Sequence, residues 1–504
     1  MIRKLVLFLI LIISFPLFSM ETYFCDKKLE SLPILEGGRL KPLYVTAEES
    51  IKYLVGKDKT DGLTRTQMYC LLSLKEALKK DVLGLKLKIE HVKILEILGL
   101  TQKDPEITYE KLSQDSQQLR FAVMREKRET SLKKALEKLL NQTQLYEKIS
   151  SGEHWVLPKK VKGKIEWLPL ISYFTEEDFN GIQSQSVLFE NIKKDFISQE
   201  GDKYLFELYF LKLQLPGWCL LLTLLALASM VLFKNFKIVL GFSTLTIIAQ
   251  VALLVGRIMI SGRAPVTNMY ETVMFSGFGA LLLGMILGHF LKEKIYVYLG
   301  LAYNMCTLMM MNFASSLISD SISPLVPVLR DNFWLSTHVT CVVLSYGSLA
   351  LSWILANVTL IKKRFLRLSK EEETYNSKII YNCIKFGTTL LFFGVMLGGV
   401  WADYSWGRFW GWDPKETWAL IVFCIYIAIL HGKYTTWLPV NKFVPSVALA
   451  FLSVMMAWFG VNYILAAGLH SYGFSQGGAV FLTSFFVIQI LLVVATRPFK
   501  FGNR

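Results

Sequence analysis

Residues 401–418 read WADYSWGRFWGWDPKETW and lie between two long apolar stretches. The run holds five of the chain's twelve tryptophans: Trp401, Trp406, Trp410, Trp412 and Trp418. Exposing so many indole rings to water is costly, so the run is expected to contact a large, flat, apolar partner. Lipid headgroups, neighbouring protein and a bound planar ligand are the three candidates.

The flanking stretches belong to a series of apolar runs that fills the C-terminal part of the chain. Each run has roughly the 18–25 residues that a helix needs to cross a bilayer. The seventh run is short and could begin inside the tryptophan-rich segment. Together with a hydrophobic content of 53% over 504 residues, the series predicts an all-α polytopic membrane protein. About nine transmembrane helices are expected, near 216–234, 238–259, 272–291, 295–313, 335–361, 379–400, 418–433, 443–468 and 479–496.

The N-terminus has the pattern of a targeting segment. Arg3 and Lys4 precede an apolar stretch that is too short for a comfortable span, so residues 1–20 are predicted to be a signal peptide or an uncleaved anchor. Residues 21–215 then form a separate extracytoplasmic domain, and residues 216–500 form the transmembrane domain.

Charge is distributed as this topology requires. Residues 21–215 carry 32 basic and 30 acidic residues, a net charge of +2, so +13 of the chain's +15 lies elsewhere. By the positive-inside rule, the basic loops after alternate spans face the cytoplasm, and so does the C-terminus. The positive net charge is therefore explained by the membrane topology and does not indicate a nucleic-acid partner. The residues concerned are Lys234, Lys237, Lys292, Lys294, Lys362, Lys363, Arg364, Arg367, Lys370, Lys433, Lys442, Arg497, Lys500 and Arg504.

The N-terminal domain is expected to be mainly helical. Its clearest amphipathic pattern covers residues 119–149, where leucines recur at helical spacing opposite many charges. Cys25 and Cys70 could pair in an oxidising compartment. The other five cysteines fall in predicted spans, form no CxxC motif and are interpreted as buried free thiols.

Histidines are few, and four of the six lie at predicted membrane faces. His338 and His470 lie at the outer face, on the same side as the tryptophan-rich loop, whereas His289 and His431 end spans at the inner face. Imidazole is a common axial ligand of haem iron, and indole faces offer the apolar surface that a porphyrin needs. The alternative is an ordinary interfacial belt, in which Trp and Tyr gather at membrane surfaces without a ligand.

The tryptophan-rich segment resembles the WWD signature of haem-handling membrane proteins, specifically the ResC/CcsA family of the system II cytochrome c synthase. The resemblance covers roughly residues 216–500. It is carried by WGRFWGWDPKETWALI (406–421), VTNMYETVMF (266–275), FWLSTHVTCVVLSY (333–346), ALIVFCIYIAILH (419–431) and GLHSYG (468–473). A looser similarity links LPILEGGRLKPLYVTAEES (32–50) to a segment of some fused synthases.

The resemblance implies a haem-handling helical bundle in a bacterial-type inner membrane. Haem b passes to an external site where His338 and His470 are the iron ligands. His431 is then one ligand of a membrane site, and a separate ResB/CcsB-like subunit supplies the other; His289 is a second choice for that role. The 21–215 domain, the WWD loop and the external histidines face outward.

Within the loop, the resemblance assigns haem and vinyl presentation to Trp406, Trp410, Trp412 and Asp413. Trp401 and Trp418 add indole surface. Arg408 or Lys415 could pair with the propionates, although ordinary loop capping and interface anchoring are the alternatives for these polar residues.

The implied reaction joins the two thiols of a CxxCH apocytochrome c to the haem vinyl groups. Such a holocytochrome c synthase (haem lyase) would also need a thioredoxin-like thiol reductant. Two other functions stay open at this point: a haem exporter or chaperone that hands haem to a separate ligase, and a polytopic transporter of another substrate with an aromatic gate.

Overall fold

The protein is described by a computed structural model that covers residues 25, 27–56, 62–78, 83–89, 91–126, 131–161, 164–173, 182–314, 317–322, 332–465 and 478–496. The predicted signal or anchor at 1–20 and the predicted ligand His470 lie outside these residues. The chain divides into two compact units, Met1–Lys212 and Leu213–Arg504. The roles expected of the N-terminal and transmembrane domains stay predictions.

The N-terminal unit is mainly helical. Its helices are α1 (Leu43–Val55), α2 (Arg65–Ser73), α3 (Lys75–Leu78), α4 (Val92–Ile97), α5 (Tyr109–Gln114), α6 (Ser116–Arg125), α7 (Ser131–Ser150), α8 (Ile182–Glu200) and α9 (Leu205–Lys212). Three antiparallel strand pairs complete it: β1 (Pro33–Glu36) with β2 (Arg39–Pro42), β3 (Lys86–Lys88) with β4 (Glu106–Thr108), and β5 (Val156–Val161) with β6 (Lys164–Pro169).

Two sequence features account for local structure in this unit. Gly37 and Gly38 both have positive φ, as the two-residue turn between β1 and β2 requires. Cys25 and Cys70 form a disulfide within the apolar core, which confirms the pairing considered from the sequence. The predicted amphipathic pattern over 119–149 falls on α6 and α7, with Leu132 and Leu136 buried in the same core.

Every secondary-structure element described in the C-terminal unit is a helix. It comprises α10 (Leu215–Leu232), α11 (Phe236–Ser261), α12 (Met269–Phe290), α13 (Ile295–Phe313), α14 (Asn332–Phe365), α15 (Lys370–Trp406), α16 (Pro414–Tyr434), α17 (Val440–Met455), a π-helical segment (Met456–Leu465) and α18 (Gly478–Ala495).

The all-α polytopic membrane fold is confirmed. Eight helical stretches among the described residues are long and apolar enough to cross a membrane. They are Leu205–Leu232, Phe236–Ser261, Met269–Phe290, Phe333–Phe365, Lys370–Trp406, Pro414–Tyr434, Val440–Leu465 and Gly478–Ala495. As the sequence suggested, the helix after the tryptophan-rich segment begins inside it, at Pro414.

The remaining predicted span, 295–313, forms helix α13 but is not among these eight. Its apolar character is diluted by polar side chains that pair within the bundle. Asn304 accepts a hydrogen bond from Gln250 at 2.8 Å and donates one to Thr223 at 3.3 Å, while Tyr303 pairs with Ser276. Polar contacts between helices are a recognised means of association inside a bilayer.

Helices α14 and α15 form an antiparallel hairpin that approaches closely along a row of glycines. A Cβ atom added at Gly387 or Gly394 would lie under 3 Å from side-chain atoms of Leu349 or Val342. Small residues at such positions let two helix backbones approach within a membrane. This close approach sets the position of His338, which lies on α14 opposite the glycine row.

Candidate functional site

The tryptophan-rich segment differs from the loop expected from the sequence, because most of it is helical. Helix α15 continues through Trp401 to Trp406, where Gly407 ends it with φ of 68° and donates to the Asp403 carbonyl. Helix α16 begins at Pro414, so only residues 407–413 are non-helical, and Trp418 lies on α16. We call residues 407–413 the WWD turn.

A capping box fixes the end of the WWD turn. The Asp413 carboxylate accepts a hydrogen bond from Lys415 N at 2.9 Å, and Glu416 Oε2 accepts from Asp413 N at 3.1 Å. The same Glu416 oxygen also accepts from Gly411 N at 2.8 Å. Trp412 has φ of 57°, which is rare and strained for a residue with a side chain, and it is 69% exposed.

His338 lies on α14 in a space left by glycines of α15. Its Nδ1 is 2.7 Å from the carbonyl oxygen of Gly394. A carbonyl can only accept, so Nδ1 carries the proton, and the lone pair of the neutral ring is on Nε2. A Cβ atom at Gly398 would lie 2.5 Å from the imidazole, so this position requires glycine. The Gly394 carbonyl and the glycine at 398 therefore fix the orientation of the imidazole.

One indole ring lies beside this imidazole, and further aromatic rings follow along the tryptophan-rich segment. The Trp401 ring is 5.9 Å from the His338 ring and 5.8 Å from the Trp406 ring, and Trp401 is only 1% exposed. Trp410 meets Trp412 edge to face at 6.0 Å. Phe409 packs on Gly399 of α15, where a Cβ atom would overlap its ring.

His338, Trp401, Phe409 and Trp410 line one cavity, which encloses about 1080 Å³ including the part open to solvent. Its wall is mainly apolar, with several polar groups at defined places, the composition typical of a small-molecule site. Besides His338, Trp401, Phe409 and Trp410, the wall includes Val266, Thr267, Asn268, Met269, Thr272, Leu335, Val339, Val342, Val343, Tyr346, Val395, Gly398, Gly399, Lys415, Glu416, Ala419, Ala457, Trp458 and Asn462.

Three polar atoms of this wall are buried without a hydrogen-bond partner among the described residues. They are the donor Trp410 Nε1 and the acceptors Glu416 Oε1 and Asn462 Oδ1. Leaving such atoms unpaired is costly, whereas a ligand that meets them recovers the cost. The cavity thus has the features of a binding site for a large, mainly apolar molecule with a few polar contacts.

A buried ion pair supports the wall from behind. Arg257 and Glu271, with side chains 3% and 1% exposed, pair at 2.9 Å. The second oxygen of Glu271 accepts hydrogen bonds from Thr267 N and Oγ1, and Asn268 caps α12 through the Glu271 backbone amide. Because Thr267 and Asn268 line the cavity, this network fixes part of its shape.

The structure brings some predicted site residues together and leaves others apart. His338, Trp401 and Trp410 line the cavity, and Trp406 contacts Trp401. Asp413 and Trp412 belong to the WWD turn but do not line the cavity, and Asp413 acts as a helix cap, one of the alternatives left open. Arg408 and Trp418 are not part of the lining either, and the Arg408 guanidinium lies against Gly411.

The two histidines predicted to lie at the inner membrane face are exposed near the ends of their helices. His431 is exposed in the last turn of α16, and His289 is exposed at the end of α12, where its ring contacts Phe290. Neither belongs to the cavity wall. Their predicted role at a second membrane site stays a prediction, as does that of His470.

Several wall residues were not predicted from the sequence. Met269 and Thr272 lie within the quoted VTNMYETVMF motif, so the motif was a usable signal for them. Trp458 and Asn462 gave no such signal because they lie in an apolar run. They enter the site through the π-helical segment, where Trp458 Nε1 donates to Thr272 Oγ1 at 3.1 Å. π-Helical turns occur often at functional sites.

Comparison with known proteins finds relatives that match between 47% and 60% of this chain. A family profile described as cytochrome C assembly protein matches residues 266–470. The cytochrome c biogenesis protein CcsA of Guillardia theta is 34% identical over 284 residues, which cover 50% of this chain and 93% of that protein. CcsA of Chlamydomonas reinhardtii is 34% identical over 47% of this chain and 68% of its own length. Protein NrfI of Wolinella succinogenes is 32% identical over 60% of this chain and 35% of its own.

Proposed function

The chain belongs to the CcsA family of cytochrome c biogenesis proteins, and from that premise we propose that it holds haem in the His338 cavity for attachment to apocytochrome c. The supporting observation is the imidazole of His338, whose Nδ1–H is engaged by Gly394 and whose ring lies beside the Trp401 indole in a large apolar cavity. This arrangement suits a flat macrocycle with an iron centre.

In this proposal His338 Nε2 is one axial ligand of the haem iron. Trp401 and Trp410 cover the porphyrin faces or edge, with Trp406 behind Trp401. Lys415 lines the cavity and is the better candidate to pair with a propionate, while Arg408 contributes only if the WWD turn rearranges. His470 is the second axial ligand, by the family resemblance alone.

The reaction that we propose is thioether formation between haem vinyl groups and the CxxCH thiols. Each S–H adds across a vinyl C=C bond, so one C–S and one C–H bond form, and no net oxidant is consumed. The contribution of this chain is to hold the haem in a fixed orientation, which is a large source of rate acceleration in bimolecular reactions. A thiol reductant keeps the substrate cysteines available.

We further propose that a ResB/CcsB-like subunit completes the enzyme and that haem b reaches the cavity from the inner side, with His431 as a ligand on the way. The cavity, the WWD turn and the N-terminal unit face outward, and the C-terminus is cytoplasmic. These assignments follow the positive-inside charge pattern and the family resemblance.

Co-expression with a ResB-like partner and an apocytochrome tests the proposal. The wild-type chain should yield cytochrome that keeps its haem in a denaturing gel. His338→Ala and His470→Ala should each lower that yield at least tenfold, while His91→Ala, in the N-terminal unit, should leave it unchanged. Haem bound to the chain without any covalent product would contradict the synthase proposal and favour a carrier.

A further inference from the structure

The unpartnered polar atoms of the cavity are of two kinds. Trp410 Nε1 is a donor and suits an acceptor such as a haem propionate. Glu416 Oε1 and Asn462 Oδ1 are acceptors, and Asn462 is 2% exposed. They come from the start of α16 and from the π-helical segment, two separate elements of the same wall.

These acceptors need hydrogen-bond donors, and haem offers few. Its ionised propionates accept hydrogen bonds, and the rest of its edge is apolar. A CxxCH segment, by contrast, carries an imidazole N–H, backbone N–H groups and two thiols, of which the thiol is only a weak donor. The two acceptors therefore fit a peptide that enters the cavity beside the haem.

We propose that Glu416 Oε1 accepts the Nδ1–H of the CxxCH histidine of the apocytochrome as that imidazole replaces one of the two protein histidines on the haem iron. This inference rests on the proposed function. An axial imidazole is almost always oriented by an acceptor at its other nitrogen, and such acceptors raise its basicity as a ligand. The chain already supplies one acceptor of this kind, since the Gly394 carbonyl holds Nδ1–H of His338. Glu416 supplies the corresponding acceptor for the incoming histidine.

The Glu416 side chain is prepared for this role. Its Oε2 atom accepts from Gly411 N at 2.8 Å and from Asp413 N at 3.1 Å, so the carboxylate cannot rotate freely. Its Oε1 atom is buried without a hydrogen-bond partner among the described residues, and Glu416 is one of the residues that line the cavity. A fixed acceptor binds its donor at a smaller entropic cost than a mobile one. Glu416 is thus a positioning residue for the substrate imidazole and takes no part in bond formation.

Glu416→Gln distinguishes the roles of the two carboxylate oxygens. The amide oxygen can still accept from both backbone N–H groups and preserve the cap, whereas the amide NH₂ group that replaces Oε1 can only donate. Glu371→Gln is the matched control, because Glu371 is also a first-turn glutamate, on α15, and is exposed outside the cavity.

The test uses the haem-loaded complex of the full chain with its ResB-like partner and an unreactive peptide in which both cysteines of CxxCH are alanine. Peptide binding is followed by the change in the haem absorption spectrum. Because hydrogen bonds to charged groups are the strong ones, we expect binding to weaken by about tenfold or more in Glu416→Gln. Glu371→Gln and the wild type should bind alike.

A second peptide isolates the Nδ1–H group. Histidine methylated at Nδ1 still coordinates through Nε2 but has no proton to donate. It should bind the wild type about tenfold more weakly than the parent peptide, and in Glu416→Gln methylation should add no further loss.

Equal binding of the two peptides to the wild type would overturn the inference whether or not the variant folds. An additional loss on methylation in Glu416→Gln would assign the acceptor elsewhere and would also overturn it. Haem missing from the wild-type complex would instead contradict the proposed function itself.

Discussion

At the scale of single residues, the site depends on glycines as much as on the histidine they surround. His338 could be chosen from the sequence because it lies at the outer end of a predicted span. Its tautomer could not, since Gly394 is distant in sequence and contacts it only through the close packing of α14 against α15. Asn462 was not predictable as a cavity residue, because nothing in the apolar run around it indicates which residues line a cavity.

Gly398→Ala is expected to displace the His338 imidazole, because the new methyl group would lie 2.5 Å from the ring. Haem content of the purified protein, measured as pyridine haemochrome, should fall about tenfold. Gly241→Ala on α11 is the control, since no atom lies within 4 Å of the added Cβ. Normal haem content in Gly398→Ala would show that the imidazole position is not critical for binding.

At the scale of elements, hydrophobic periodicity predicted the spans well and their ends less well. Helix α15 extends to Trp406, six residues beyond residue 400, where the predicted span ended. Gly407 supplies the left-handed residue that ends the helix. Asp413 and Pro414 begin α16 as an N-cap and first-turn proline, a pattern readable from sequence. The π-helical segment at Met456–Leu465 was not predicted, because hydrophobic periodicity does not distinguish a π-helix from an α-helix.

The buried Arg257–Glu271 pair is expected to stabilise the cavity wall as a unit. Glu271→Ala leaves a buried unpaired guanidinium and should destabilise the protein by about 3–5 kcal/mol. Arg257→Met with Glu271→Gln should cost less than the sum of the two single changes, because both charges are removed together. Thermal denaturation in detergent gives the comparison, and strictly additive effects would mean that the pair is not coupled.

At the scale of the whole molecule, composition and charge predicted two parts of different character, and contacts divide the chain into two units. The polar contacts inside the N-terminal unit were not predictable, because they join residues far apart in the sequence. His154 Nδ1 is 2.8 Å from the Tyr69 hydroxyl, and its Nε2 is 3.5 Å from Glu36. Lys41 pairs with Glu36 and with Glu49 in the same cluster.

The N-terminal unit is expected to lose stability below neutral pH. Burial lowers the pKa of His154 below its ordinary value of 6.5, assisted by Lys148 and Lys41 and opposed by Glu36. The neutral ring is thus favoured in the folded state, so the stability it gives is complete above about pH 6.5 and is lost as pH falls from there toward the folded pKa. Amide exchange in Arg65–Ser73, corrected for the intrinsic rate, should be faster at pH 5.5 than at pH 7.5 in the full chain.

His154→Gln is the control for this pH effect. The glutamine amide can still accept from the Tyr69 hydroxyl but does not titrate in this range. Its exchange should be the same at both pH values after correction. The same acceleration in wild type and variant would show that another group is responsible.

Haem ligation by His338 Nε2 in this cavity is tested by the absorption spectrum of purified His338→Ala with and without added imidazole. The variant removes the ligand but leaves the Gly394 carbonyl and the space beside Gly398. We expect a weak or shifted Soret band in His338→Ala that returns to the wild-type position when imidazole is added. A wild-type spectrum in the variant before any imidazole is added would contradict the claim.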